Sequence, residues 1–408
     1  MRHRGLLAFT CLSFAAGCSA APGSEEPKAD TSTPGTPDER ALTNLELLGK
    51  RLFEDATLSE PPGQACASCH DPQQGFQGNA GSRIAAVALG SRPETFGTRN
   101  VPTVSYATYS PPFAFVSDDG ETVAKGGQFW DGRAATLADQ AKGPFLNPRE
   151  MNNPSAAAVV DKVARGPYAE LFAEVLGEDA LGYGERAYDR FAEAIAAYEG
   201  TERFHPFRSK FDDVLRGTAS FDDHEAHGFS LFKDPEKGNC IACHAGDVSS
   251  TKPADWLFTD FTYDTLGVPR NTKIPDDADP SFYDLGLCKQ PGLDGLAPAE
   301  FDVSSVCGAF KVPTLRNIEL TAPYMHNGFF TELRDVVRFY VTRDTNPELW
   351  YPQNDDGTVR AFDDLPQRYR GNVNHEEVPY DRKLGEAPRL TDDEIDDVVA
   401  FLRTLTDR

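Results

Sequence analysis

The sequence predicts a mainly α-helical chain of two successive domains with long loops, and three observations predict it. Apolar residues recur at helical spacing in segments that open and close each half, and strand-like alternation is sparse. A Cys-x-x-Cys-His cluster also occurs once per half, at Cys66–His70 and Cys240–His244. With 408 residues and 39% hydrophobic content the chain can bury one or two ordinary cores, and its length favours two or three domains over one.

At the start, Arg2 and Arg4 precede an apolar run from Leu6 to Ala16, followed by Gly17-Cys18. A basic start, a short apolar stretch and small residues read as a bacterial export signal over residues 1–18. Small residues before Cys18 resemble a lipoprotein cleavage box, with Ala15 where such boxes more often carry Leu, which makes Cys18 the expected lipidation site. Cleavage after Ala20 or Ala21, releasing the protein, is the alternative. Either outcome places the body on the periplasmic side, with a lipid tether to the membrane in the first case. No later stretch approaches about 18 uninterrupted apolar residues, so no spanning helix is expected.

Residues 19–40 are rich in Pro, Ser, Thr, Glu and Asp and read as a flexible tether. The folded body is expected to begin near Ala41, with one domain over 41–205 and a second over 206–408. Leu45, Leu48 and Leu52 mark an amphipathic helix leading into the first cysteine cluster; Ala187, Phe191, Ala194, Ile195 and Tyr198 mark another near the end of that half. A hinge is expected over Arg203–Arg216. The second half repeats the plan, with a helix at about Phe221–Phe232, the second cluster, and loops rich in Gly, Pro and Asp. Its last helix starts at Thr391, whose spacing to Glu394 makes a capping box, and Ile395, Val398, Val399 and Leu402 supply one apolar face.

The formal charge of −24 argues against nucleic acid and anionic lipid surfaces as partners and favours a basic patch on any protein partner; a solubilising surface explains it equally well. Of eight cysteines, Cys11 leaves with the signal, Cys18 is the lipid candidate and four lie in the clusters. Cys288 and Cys307, 19 positions apart, remain. In an oxidising compartment they make a disulfide, worth on the order of 3 kcal/mol in the chain-entropy model, or else stay as two free thiols. The clusters carry the c-type haem attachment signature: two thiols at that spacing can add to both vinyl groups of one haem while the adjacent imidazole lands beneath the iron. Zinc sites want four ligands at close, recurring spacing, a poor match to clusters 174 residues apart. Two covalent haems are expected, one on Cys66, Cys69 and His70 and one on Cys240, Cys243 and His244.

Between the clusters stand Arg99-Asn100-Val101-Pro102-Thr103, Phe129-Trp130-Asp131-Gly132-Arg133, Gln140, Pro144 and Glu150-Met151. After the second come Lys311-Val312-Pro313-Thr314-Leu315-Arg316-Asn317 and Leu320-Thr321-Ala322-Pro323-Tyr324-Met325-His326-Asn327-Gly328. Each is weak alone, but the ordered set resembles the dihaem peroxidase family of MauG and bacterial cytochrome c peroxidases from Ala41 to the C-terminus. The resemblance implies a dihaem peroxidase architecture in which hydrogen peroxide reacts at the His70 haem. It makes Glu150 the acid/base group that moves a proton between the peroxide oxygens, with Gln140 lining the same pocket. Without the family pattern these two would read as a helix-terminal carboxylate and a surface amide. Trp130 matches the tryptophan that relays charge between the haems, against plain core packing of a Phe-Trp pair. Asn100, Thr321 and Pro323 match a calcium site of one side-chain oxygen and two carbonyls, against a metal-free turn.

Three departures refine what the resemblance implies. No histidine occurs from Asp71 to Phe204, where reductively activated members place a distal ligand, so the first haem is expected to stay five-coordinate. Fourteen residues after His326, where those peroxidases carry an iron-ligating methionine and MauG carries tyrosine, stands Tyr340. A phenolate there stabilises higher oxidation states of iron; the alternative is that Tyr340 is a core aromatic beside Leu333, Val336 and Val337. Gly238 stands where MauG has a tryptophan on the route to its protein substrate. That favours relatives of the MbnH kind, which oxidise a tryptophan on a companion copper-binding protein, over methylamine dehydrogenase maturation. The function expected is a MauG-like enzyme that uses hydrogen peroxide to oxidise side chains of a partner protein through a two-iron high-valent state. The alternatives are a cytochrome c peroxidase fed by a small cytochrome or copper protein, and a non-enzymatic dihaem electron carrier.

Overall fold

The chain enters its first helix, α1 (Asn44–Glu54), through a capping box. Thr43 Oγ1 accepts the Glu46 N–H, and the Glu46 carboxylate accepts the Thr43 N–H. These contacts, and all below, come from a computed structural model that describes residues 42–118, 120–182 and 184–408. The expected export signal over 1–18, Cys18 and the expected tether over 19–40 lie outside the described residues. Leu48, Leu52 and Phe53 bury one face of α1, and the single turn α2 (Cys66–Cys69) carries the first cluster. An antiparallel hairpin, β1 (Ala114–Asp118) and β2 (Glu121–Lys125), precedes α3 (Leu137–Leu146), α4 (Ala156–Arg165), α5 (Ala169–Leu176) and α6 (Gly184–Glu199). At the crossing of α1 and α6 a Cβ on Gly49 would stand 1.9 Å from the Ala194 carbonyl oxygen, so only glycine lets the helices approach this closely.

The second half repeats the device. After α7 (Lys210–Leu215), α8 (Asp223–Lys233) leads into a 3₁₀ turn, Cys240–Ala242, that carries the second cluster. β3 (Tyr263–Asp264), α9 (Leu293–Leu296), β4 (Phe310–Lys311), α10 (Leu333–Thr342) and α11 (Asp392–Arg403) follow, with β3 and β4 antiparallel. The Thr391–Glu394 capping box opens α11. Where α8 crosses α11, a Cβ on Gly228 would meet the Asp397 carbonyl oxygen at 1.9 Å. Cys288 and Cys307 are joined by a disulfide.

Two large apolar clusters organise the helices. One gathers Leu48, Leu52, Phe145, Phe191, Ile195 and Phe204 with their neighbours, and the other Phe211, Phe232, Phe258, Val337, Val398 and Phe401 with theirs. Each fully buried side chain of this size contributes about 1.5–3 kcal/mol. The segment Arg203–Arg216, expected as a hinge, instead carries α7, capped by Ser209 and with Phe211 and Asp212 buried. Asp212 pairs with Arg316, both fully buried, each carboxylate oxygen 2.8 Å from Arg316 Nη1. The remaining guanidinium donors reach the Trp256 and Pro253 carbonyls, so the ion pair is fully bonded and pins the linker to the second core. Asp407 adds a clasp, accepting from Tyr106 of the first half, the Arg208 N–H and Asn317 of the second. No helix among the described residues is long and apolar enough to cross a membrane.

Candidate active site

The sequence writes each histidine directly after its cysteine pair, and the local turn fixes where that histidine points. His70 and His244 donate their backbone N–H groups to the Cys66 and Cys240 carbonyls at 2.9 and 2.8 Å. Their Nδ1–H groups are spent on the Phe76 and Phe258 carbonyls, at 3.0 and 3.1 Å. A carbonyl can only accept, so the tautomer is set and Nε2 keeps its lone pair for a metal. Burial pushes both imidazoles down to about 4, only partly opposed by these hydrogen bonds, so each ring is neutral. All four cluster cysteines are unpaired. One continuous cavity of about 820 Å³ is lined by both cysteine pairs and both histidines. Free thiols, fixed Nε2 lone pairs and a largely apolar cavity fit two covalent haems, held by Cys66, Cys69 and His70 and by Cys240, Cys243 and His244.

Near the first cluster, α3 and the turn after it supply polar groups. Gln140 and Glu150 both line the cavity. The Asn147 side-chain amide donates to Glu150 Oε1 at 2.6 Å and fixes the carboxyl group. Burial pushes the Glu150 carboxyl above its ordinary range, against the Arg133 charge and the Asn147 bond that favour the anion. Arg133 is itself held, 3.6 Å over the Phe129 ring and 2.8 Å from Asp131. The site thus holds a carboxyl poised to exchange a proton, beside a primary amide.

Between the clusters, Trp130 donates its indole N–H to the Asn100 carbonyl at 2.8 Å, while its own carbonyl accepts from the Lys311 N–H at 2.8 Å. Trp130 is therefore tied by its indole to the first half and by its backbone to the second. Arg99 bridges Asp131 and Asp284, and the Lys311 ammonium, pushed down to about 8 by burial, donates to the Gly127 carbonyl. Asn100 lies beside the expected calcium carbonyls, its side-chain amide 2.6 Å from the Pro323 oxygen, and Thr321 lies buried two residues upstream. In this rotamer an N–H faces the carbonyl; a half-turn of the amide would present oxygen instead.

Near the second cluster stands Tyr340 of α10, which lines the cavity close to Cys240 and Cys243. Burial pushes its phenol up, and Arg343 opposes that shift. The cavity thus unites Glu150, Gln140, Trp130 and Tyr340 with both clusters, while Cys288 and Cys307 pair apart from it. Sequence reasoning missed Lys311 and Arg133 although both stand inside quoted motifs. It also missed Glu199, whose buried Oε2 has no partner at the cavity wall, and Tyr380, which stacks on Tyr340. Neither of the last two carries a local signal.

Residues 43–220 match the family model described as di-haem cytochrome c peroxidase. The methylamine utilization protein MauG of Paracoccus denitrificans is 37% identical over 396 residues, covering 94% of this chain and 92% of that protein. Cytochrome c551 peroxidase of Nitrosomonas europaea is 31% identical over 75% of this chain and 76% of its own length. Among solved structures, the diheme peroxidase BthA from Burkholderia thailandensis superposes with a TM-score of 0.83 at 41% identity, covering 94% of this chain and 89% of that one.

Proposed function

The chain belongs to the dihaem peroxidase family of MauG and the bacterial cytochrome c peroxidases, and from that premise we propose a MauG-like enzyme that uses hydrogen peroxide to oxidise side chains of a partner protein. The observation that carries the finer reading is the contrast between what lies near each cluster in the cavity: a carboxyl group near the first and a phenol near the second. Bound at His70 and His244, the haems would supply the redox chemistry, with peroxide reacting at the first and the second storing oxidising equivalents. Around them the chain's own groups do the rest. Glu150 takes a proton from the near peroxide oxygen and returns it to the far one, held for this by Asn147. Gln140 orients the peroxide by hydrogen bonding, and Trp130, anchored at both ends, offers a polarisable bridge between the halves. Tyr340 would offer its oxygen to the second haem's iron, and bound there as a phenolate it would favour the oxidised metal.

Asn100, Thr321 and Pro323 would hold one calcium ion, with water completing the oxygen shell. Export to the periplasmic side with a lipid on Cys18 completes the reading, and labelled fatty acid lost in Cys18→Ser would support it. The deciding experiment adds one equivalent of peroxide to the ferric holoprotein without prior reduction. Mössbauer spectra should show ferric iron consumed at both sites. A requirement for prior reduction, followed by steady turnover with reduced cytochrome c, would replace this reading with the cytochrome c peroxidase one. Two six-coordinate haems inert to peroxide would make the protein an electron carrier.

A further inference from the structure

Tyr340 and Arg343 stand three residues apart on one face of α10 and its C-terminal cap, and a residue from a distant loop fits between them. That residue is Tyr380. Its ring stacks on Tyr340, centroids 5.7 Å apart and planes 29° from parallel. The Arg343 guanidinium lies over Tyr380, 4.4 Å from the ring centroid. Arg343 is fully buried and cannot swing away, because it donates to the Leu266 carbonyl at 3.0 Å, to the Asn374 carbonyl and to Asp344.

The loop bearing Tyr380 is fastened on two more sides. The Asn374 N–H donates to the Thr265 carbonyl at 3.0 Å, and the Asn374 side chain bonds Asp264 and Glu377. Asn239, the residue before Cys240, donates its side-chain amide to the Val378 carbonyl at 3.3 Å. Tyr380 is thereby tied to the haem motif itself as well as to the helix that carries Tyr340.

We infer that Tyr380 is a positioning residue for the second haem: clamped between Arg343 and Tyr340, it holds the Tyr340 ring in the one orientation that presents its oxygen to iron. The inference rests on Tyr340 being the ligand. A stacked aromatic pair under a cation is enough to bias one rotamer roughly several-fold. An aliphatic side chain in its place would leave Tyr340 free to populate orientations that miss the metal.

The test uses the holoprotein with both haems attached and compares wild type with Tyr380→Leu, Tyr380→Phe and Tyr340→Phe. EPR and a potentiometric titration of the second haem are the readouts, with haem content and thermal unfolding measured alongside. Tyr380→Leu should split or weaken the single low-spin signal of the second haem and shift its potential, while haem content stays at two. Tyr380→Phe, which keeps the stacked ring, should restore the wild-type signal. A wild-type spectrum and potential in Tyr380→Leu would overturn the inference, as would a Tyr380→Phe protein no better than Tyr380→Leu. Tyr340→Phe separates the two levels: if it leaves the second haem unchanged, the ligand assignment is wrong; if it alone changes the spectrum, only the role of Tyr380 fails.

Discussion

Seen from their histidines, the two halves are near-copies. In each, a helix leads into the cysteine cluster, a glycine lets that helix touch the last helix of the half, and the histidine gives its Nδ1–H to a phenylalanine carbonyl. Elsewhere in the cavity nothing matches: Glu150, with Arg133 near it, lies by the first cluster, and Tyr340 with its stacked partner by the second. Repeated structure builds the haem seats, and the unrepeated residues decide what each seat does. A carboxyl beside an open position can move protons, and a phenol can fill a position and hold charge.

The largest effect should come from emptying one seat at a time. Cys66→Ala with Cys69→Ala should remove one haem and Cys240→Ala with Cys243→Ala the other, each read by intact mass and the pyridine haemochrome. A double variant that loses both haems would break the comparison, because the seats would then be filled cooperatively.

Next, Glu150→Gln should slow the reaction with peroxide by about 10²–10⁴-fold while leaving the spectrum of the second haem unchanged, as stopped-flow absorbance would show. Only the anion can accept a proton, and burial raises the Glu150 carboxyl. The rate should therefore fall on acidification at a pH above the ordinary carboxylate range, and this limb should vanish in the variant.

The linker ion pair gives a smaller effect, on stability. Arg316→Met strands the Asp212 carboxylate in a dry site and should destabilise the fold by about 3–5 kcal/mol in urea titrations. Replacing Asp212 with Leu as well should recover most of the loss. If the single variant unfolds only its own half, with the first half melting as before, the halves are energetically separate too.

Smallest is a pH effect confined to the first half. Burial pushes Glu199 up to about 8 from 4.5, so the folded protein keeps a proton that the unfolded chain releases. Stability is then fullest below about 4.5, falls as pH rises toward about 8, and levels off beyond. Glu199→Gln should flatten that slope, worth a few kcal/mol at most, in melting curves taken across the window.

Legibility in the sequence follows the range of the interactions. The haem-attachment residues are spaced along a short stretch of chain, so Cys66, Cys69 and His70 could be named with no structure at all. Helices α1, α6 and α11 announced themselves by apolar periodicity, and α11 also by its capping box. The box at Ser209 and Asp212 was equally written, yet lay in a stretch expected as a hinge, and α7 was overlooked. Glu199 reads as an ordinary charged residue at a helix end; its burial comes from neighbours that only the packed fold supplies. Tyr380 follows Tyr340 by 40 residues and has no motif of its own, since it reaches the site through a loop whose carbonyls accept from the distant side chains of Asn239 and Arg343.

The link between Cys288 and Cys307 has a consequence for how the molecule is matured. One chain carries six chemically identical side chains among its described residues that need opposite treatment. Two must surrender electrons to an oxidant, while four must remain thiols until vinyl groups arrive, because only S–H can add across the double bond. Two cysteines three positions apart in one turn capture one another readily once oxidised, so an oxidant that arrives before haem would close both clusters. Material made in a host that oxidises thiols without resupplying reductant should thus contain the 288–307 link, fold around it, and be colourless.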